Sequence, residues 1–317
     1  MAEISYTIII PHYNIPDLLM RCLKSIPVRE DIQVIVIDDC SPNADTYLGR
    51  FPELSRPYLE YYSTPQGGSA GRARNIGLDH AKGKWIICMD ADDFFVDNME
   101  EILLESKDKE EDILFYNYRN VFSSDLSKEA SRNYYNHYFT LYKEDCNESP
   151  FRYRFDPIWG KIIKKSLIDK YHLRCDETRY GNDVGFSYKC GALAKKIVII
   201  DKELFVITTR EGSLDSAKIY GNKRSVNELQ SRMTSLLNIA VFNNEYKIKN
   251  RFFTYADLSI EFFKSWPKEF LKFYYSSIIP NYFRQSCVIF LYIFCYYTGI
   301  IKGMSYVRHF KVVKTSK

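Results

Sequence analysis

The 317-residue chain has room for one large domain or for one and a half to two average ones. Its apolar content of 46% is ordinary for a globular protein and provides for a sizeable core. A formal net charge of only +4 gives no ground for a nucleic-acid partner.

The start, MAEISYTIII, carries Glu3 and lacks an n-region or cleavage site, so it does not read as a signal peptide. Tyr6 to Ile10 is a strand pattern ending in the turn Pro11-His12-Tyr13-Asn14. Pro16 and Asp17 open a helix, with Leu18, Leu19, Cys22, Leu23 and Ile26 at helical spacing. Gln33 to Ile37 predicts a second buried strand, closed by Asp38-Asp39-Cys40-Ser41-Pro42-Asn43, and Leu59 to Tyr62 a third, weaker one. Gly67-Gly68-Ser69-Ala70-Gly71 leads into a helix over Arg72 to His80. Trp85 to Met89 is an apolar run suited to a strand buried on both faces, and it stops abruptly at Asp90-Ala91-Asp92-Asp93.

This order predicts an α/β fold with a doubly wound, mainly parallel sheet. Three strands then end in polar or acidic clusters that face one crevice if they lie side by side. Carboxylates as close as Asp90, Asp92 and Asp93 repel, and a hard divalent ion holding phosphate oxygens is their natural partner. A solvated acidic turn is the plainer alternative. Asp38 and Asp39 likewise fit a helix cap or turn, and the glycines fit either a phosphate cradle or a flexible lead-in. His12 has no metal-ligand partner nearby and reads as a crevice-lining or structural residue. The eight cysteines show no C-x-x-C pair and no disulfide-like rhythm, as expected of reduced thiols in a cytosolic compartment.

Taken together, TIIIPHYN, VIVIDDCSPN and GGSAGRARNIGLDHAKGKWIICMDADDFF resemble the three N-terminal motifs of family 2 glycosyltransferases with a GT-A fold, in order and spacing. The likeness continues more loosely to about residue 215. It implies that Pro11, Tyr13 and Asp39 hold the nucleotide base, that Asp38 shapes that pocket, and that Asp90 contacts ribose or base. It also implies that Asp92, supported by Asp93, binds Mn2+ or Mg2+ bridging the two phosphates. Arg74, in the Arg74-Asn75-Ile76-Gly77-Leu78 part of the third motif, is expected on the nucleotide-sugar side.

Downstream, Met99, Ile102 and Leu103 mark a helix and Ile113 to Tyr118 a strand. Residues 124–150 show no clear periodicity and are expected to be a surface excursion near the acceptor. Pro157-Ile158-Trp159-Gly160-Lys161 resembles the family's tryptophan-bearing segment, where Trp159 either stacks on a sugar face or fills the core. Tyr180-Gly181-Asn182-Asp183 resembles the segment that carries the catalytic base. Asp183 keeps that carboxylate, and Asn182 replaces the usual Glu beside the acceptor. A helix cap is the alternative for Asp183. Two short strands (196–200 and 205–209) precede Arg210-Glu211-Gly212-Ser213, where the family often carries Arg and Ser over the diphosphate; Arg210 suits a bidentate phosphate contact.

Residues 1–218 are thus expected to form the catalytic domain, with a nucleotide-sugar half at 1–100 and an acceptor half at 101–218. Residues 219–317 are expected to be a helical extension. Trp266 to Phe283 is aromatic and basic, Gln285 to Ile301 is uncharged but short for a membrane span of ~20 residues, and the tail beyond it is basic. Docking on an anionic membrane surface through 266–317 and burial in the protein are both open. The functional expectation is an inverting, metal-dependent transfer from a nucleotide-sugar, a UDP-sugar foremost, to a glycan or lipid-linked saccharide at the inner face of the plasma membrane. A nucleotidyltransferase would need a basic Gly-rich loop after the first strand, which IIIPHYN lacks. The remaining rival is a non-catalytic nucleotide-sugar scaffold or sensor.

Overall fold

Nine strands form one mixed sheet among the described residues, which in this computed structural model are 3–42, 44, 56–130, 135–210, 224–248, 254–281, 285–286 and 289–290. The chain clusters into two compact units, Met1–Lys223 and Arg224–Lys317. The first unit begins β1 (Tyr6–His12), α1 (Pro16–Lys24), β2 (Ile32–Asp38), β3 (Leu59–Ser63), α2 (Ala70–His80), β4 (Trp85–Cys88). These four strands are parallel, in the order β3-β2-β1-β4. Every residue of β1, β2 and β4 is buried, which is why their sequences are continuous apolar runs rather than alternating ones. Helix α2 lies directly on this sheet: a Cβ on Gly77 would sit 2.4 Å from Ile9 Cγ2.

The pairing of β1 with β4 ends at Ile9↔Cys88, whereas β1 and β2 stay paired to His12↔Asp38. The β1–β4 seam therefore opens at its carboxyl end, where ligands enter open α/β sheets. Pro11 lies past that last β4 partner, so its missing N–H costs no bond to β4.

The chain continues through β5 (Phe94–Phe95), α3 (Met99–Ser106), β6 (Ile113–Phe122), β7 (Asp125–Glu129), α4 (Asn136–Asp145), α5 (Ser149–Arg154), β8 (Lys161–Lys164), α6 (Lys165–Lys170), α7 (Val184–Leu193) and β9 (Ile197–Thr209). The sheet extends as β4-β8-β6-β9-β5, with β7 paired to β6. Strand β8 is antiparallel to both neighbours, and β6 and β9 run parallel with irregular register around Asn117.

Two sequence expectations change here. The described residues of 124–150, expected to be a surface excursion without clear periodicity, are mostly exposed but hold a strand and helical segments. Phe139 and Phe151 from these helices are buried with Phe115 and Phe155 in edge-to-face contacts. The two short strands expected over 196–209 are one strand, β9. Its exposed middle, Asp201-Lys202-Glu203, resembles a turn in sequence but forms ion pairs to Lys143 and Glu105 from neighbouring segments.

The second unit contains α8 (Val226–Glu245), capped by Ser225 accepting from the Glu228 N–H, α9 (Thr254–Ser265) and α10 (Pro267–Phe273), which runs into a π-helical turn, Tyr274–Ile278. Its core gathers Leu229, Met233, Leu237, Leu258, Phe262, Phe270 and Ile278. Among the described residues no helix is long and apolar enough to cross a membrane. Most of the Gln285–Ile301 run and the basic tail lie outside the described residues.

Candidate active site

At the open end of β1 and β2, His12 Nδ1 donates to Asp38 Oδ1 at 2.9 Å, and His12 Nε2 accepts from the Ile15 N–H at 3.1 Å. An amide N–H can only donate, so this network assigns the neutral Nδ1–H tautomer to His12. Asp38 Oδ2 accepts from the Ser41 N–H at 2.8 Å, and Ser41 Oγ in turn accepts from the Asn14 N–H. Burial pushes the Asp38 carboxyl up, and the hydrogen bonds from His12 and Ser41 outweigh it, leaving it below the usual carboxylate range. His12 and Asp38 thus fix the two turns that carry Tyr13 and Asp39. Tyr13 is 57% exposed. The Asp39 carboxylate accepts from Thr64 Oγ1 at 2.9 Å and from the Gly68 N–H at 3.2 Å, which ties the glycine loop to the end of β2.

The acidic turn after β4 separates its three carboxylates. Asp90 Oδ1 pairs with Arg74 Nη2 at 2.5 Å. Asp92 Oδ2 pairs with Arg210 Nε at 2.9 Å, while its backbone carbonyl accepts from Thr208 Oγ1 at 2.8 Å and from Arg21 Nη2 at 2.5 Å. Burial, and next the charge of Asp90, raise the Asp92 carboxyl above its usual range against the pull of Arg210. Asp93, expected to support the metal, is 3% exposed, and its Oδ1 accepts from the Thr208 N–H at 2.7 Å, which ties the acidic turn to β9.

Arg74, expected on the nucleotide-sugar side, is 4% exposed, and its guanidinium spans from Asp90 to Asn182 Oδ1, 2.5 Å from Nη1. Burial opposes its charge, and Asp90 restores it. Asn182, itself buried, donates to the Thr178 carbonyl. Here the family's usual Glu would add a second carboxylate to Arg74. Asp183 follows at the start of α7, within electrostatic reach of Arg74, and its side chain makes no capping hydrogen bond to that helix.

Helix α2 and the 174–182 loop are locked together around this point. Asn75 accepts from the Cys175 N–H and donates to the Cys175 carbonyl, and Arg72 pairs with Glu177 at 3.0 Å. A Cβ on Gly71 would lie 2.1 Å from the Asp176 carbonyl oxygen, so only glycine allows this approach.

Trp159 is 5% exposed and packs among Tyr118, Tyr135 and Phe155. Of its two readings, the geometry matches the core one. Ser213 lies outside the described residues. Sequence reasoning did not find Arg21 and Thr208, which hold the Asp92 backbone; Arg21 alone left a signal, a cation among the apolar positions of α1.

Among the described residues no group of three or more His, Cys, Asp or Glu side chains could hold a metal by itself. Mg2+ and similar ions bind through one or two carboxylates plus substrate phosphates and water, and a carboxylate has about four acceptor positions. Asp92, with one oxygen turned to Arg210, and Asp90, with one turned to Arg74, fit that donor set.

The family description of glycosyl transferase family 2 matches residues 7–172, which is more than half of the chain. The chain belongs to glycosyl transferase family 2. It is 26% identical over 259 residues to glycosyltransferase GlyA of Streptococcus pneumoniae, covering 75% of this chain but 36% of that protein. It is 27% identical over 235 residues to glycosyltransferase GlyG of the same organism, covering 68% of this chain and 73% of GlyG. The chain thus spans about a third of one of these curated relatives and about three quarters of the other. The fold is GT-A. S. aureus TarS 1–349, solved with UDP-GlcNAc, superposes with a TM-score of 0.56 at 18% identity, covering 93% of this chain and 92% of that one. A mannosyltransferase from Pyrobaculum calidifontis, solved with GDP-Man and Mn2+, gives 0.52 at 15% identity, covering 93% and 86%.

Proposed function

We propose that this family 2 protein is an inverting, metal-dependent transferase that moves one sugar from a nucleotide-sugar, a UDP-sugar foremost, to a hydroxyl of a growing glycan carried on lipid. The reading rests above all on Arg74, which joins the first aspartate of Asp90-Ala91-Asp92 to the residue preceding Asp183. One buried cation thereby holds a donor-side carboxylate, Asp90, and the acceptor-side amide of Asn182, next to Asp183. The UDP-GlcNAc and GDP-Man found with fold neighbours support a nucleoside diphosphate sugar as donor.

In this reading Asp39, Tyr13 and the turn after Pro11 receive the base, and Arg210 and Ser213 the diphosphate. Asp92, with Asp90 beside it, would hold Mn2+ or Mg2+, which when bound would supply Lewis-acid stabilisation of the departing charge. The Asp183 carboxylate takes the proton from the acceptor hydroxyl as that oxygen forms its bond to the anomeric carbon. The bond from that carbon to the diphosphate oxygen breaks on the opposite face, its electron pair leaves with the nucleoside diphosphate, and the anomeric configuration inverts. The basic, aromatic stretch at 266–283 supports an enzyme that works at the cytoplasmic face of the plasma membrane.

The test is a donor panel with Mn2+ or Mg2+, following nucleotide release and, by proton NMR, the anomer of the sugar first released. Metal-dependent release from one donor class with inversion supports the reading. Retention of configuration overturns the inverting mechanism; no release from any donor, with bound nucleotide indifferent to metal, overturns the enzyme reading and favours a binding scaffold.

A further inference from the structure

The side chain of Arg210 occupies the carboxylate that the metal would need. Asp92 cannot yield: Arg21 and Thr208 hold its backbone carbonyl, and Asp93 beside it is tied to the Thr208 N–H. Arg210 can yield, because it is 29% exposed and the described contact is one ion pair from its Nε. Local charge supports an exchange. The carboxylates of Asp90 and Asp92 already face the guanidinium groups of Arg74 and Arg210, and Asp183 lies within electrostatic reach of Arg74, so a lone divalent ion would add more positive charge than these carboxylates leave to be balanced. A divalent ion arriving with the doubly charged diphosphate of a nucleotide-sugar adds none. A guanidinium released from Asp92 also has the fork geometry that phosphate oxygens accept.

We propose that Arg210 is an exchangeable counter-cation of Asp92: it holds that carboxylate against entry of a lone metal ion, and transfers to the diphosphate when metal and nucleotide enter together. This goes beyond the proposed function and rests on its metal reading. It predicts that removing a positive charge strengthens metal binding, and that nucleotide and metal bind synergistically because of one residue.

The experiment titrates the full chain with Mn2+, reading free Mn2+ by electron paramagnetic resonance, with and without UDP or GDP, for wild type, Arg210→Gln and Arg210→Lys. Melting temperatures check that each variant is folded. We expect Mn2+ alone to bind Arg210→Gln roughly fivefold tighter than wild type, the ratio given by about 1 kcal/mol. The gain from added nucleotide should shrink in Arg210→Gln, and Arg210→Lys should match wild type with Mn2+ alone. Unchanged or weaker binding of lone Mn2+ to Arg210→Gln, while wild type binds Mn2+ with nucleotide, overturns the exchange and leaves the metal reading intact. Failure of wild type to bind Mn2+ with either nucleotide overturns both.

Discussion

Arg74 donates to Asn182 Oδ1 at 2.5 Å across 108 positions of sequence, and the same guanidinium pairs with Asp90. One buried cation therefore fixes the distance between the end of β4 and the start of the helix that carries Asp183. The site's geometry depends on this bridge more than on any exposed contact.

Replacing Arg74 with Ala leaves the Asp90 carboxylate without its ion pair and Asn182 without its donor. Because Asp90 is 35% exposed and water can take up part of its charge, the loss should be about 1–3 kcal/mol, which urea unfolding would read. Arg74→Lys should recover part of that stability but little turnover, since an ammonium cannot span both partners. In a double-mutant cycle with Asn182→Ala, the two changes should be coupled by more than about 1 kcal/mol. Additive effects would contradict the bridge.

Lys161 gives a pH dependence of definite sign. It is 1% exposed, donates to the Phe155 carbonyl at 2.9 Å and lies against the Phe115 and Phe155 rings. Burial pushes its pKa down to about 8 from the ordinary 10.5. Between those values the unfolded chain binds more protons than the folded one, so stability rises with pH across the window. Wild type should gain about 3 kcal/mol relative to Lys161→Met between pH 8 and 10.5, measured by urea unfolding at both pH values. Parallel curves for the two proteins would place Lys161 in contact with water.

Gly71 tests the seam between α2 and the 174–182 loop. Gly71→Ala places a Cβ 2.1 Å from the Asp176 carbonyl oxygen, a contact that only movement of backbone can relieve. We expect a loss of roughly 1–3 kcal/mol in unfolding free energy and a drop in kcat larger than the rise in donor KM. A variant as stable and active as wild type would show that the seam is loose.

Much of the first unit is legible in the sequence because β1, β2 and β4 are buried on both faces and so appear as unbroken apolar runs. The order of three motifs then carries the family. The rest depends on partners distant in sequence. Helices α4 and α5 bury Phe139 and Phe151 against Phe115 and Phe155, which no local period reveals. Strand β9 crosses a charged triplet because β6 continues beside it. The acidic turn shows the limit most plainly. Asp92 and Asp93 are chemically identical neighbours, yet one carboxylate faces Arg210 and the other is buried against the Thr208 backbone. Likewise, the resemblance places Arg74 on the nucleotide-sugar side, and only the fold shows it buried between Asp90 and Asn182.

The measurement that bears most directly on the central claim compares Asp183→Asn with wild type at saturating donor and metal, reading nucleotide release and nucleotide affinity together. We expect a fall in kcat of about 10²–10⁴-fold, the usual worth of a positioned general base, with UDP affinity within about twofold of wild type. Unchanged turnover in Asp183→Asn would contradict it, and would move the proton acceptor to another group.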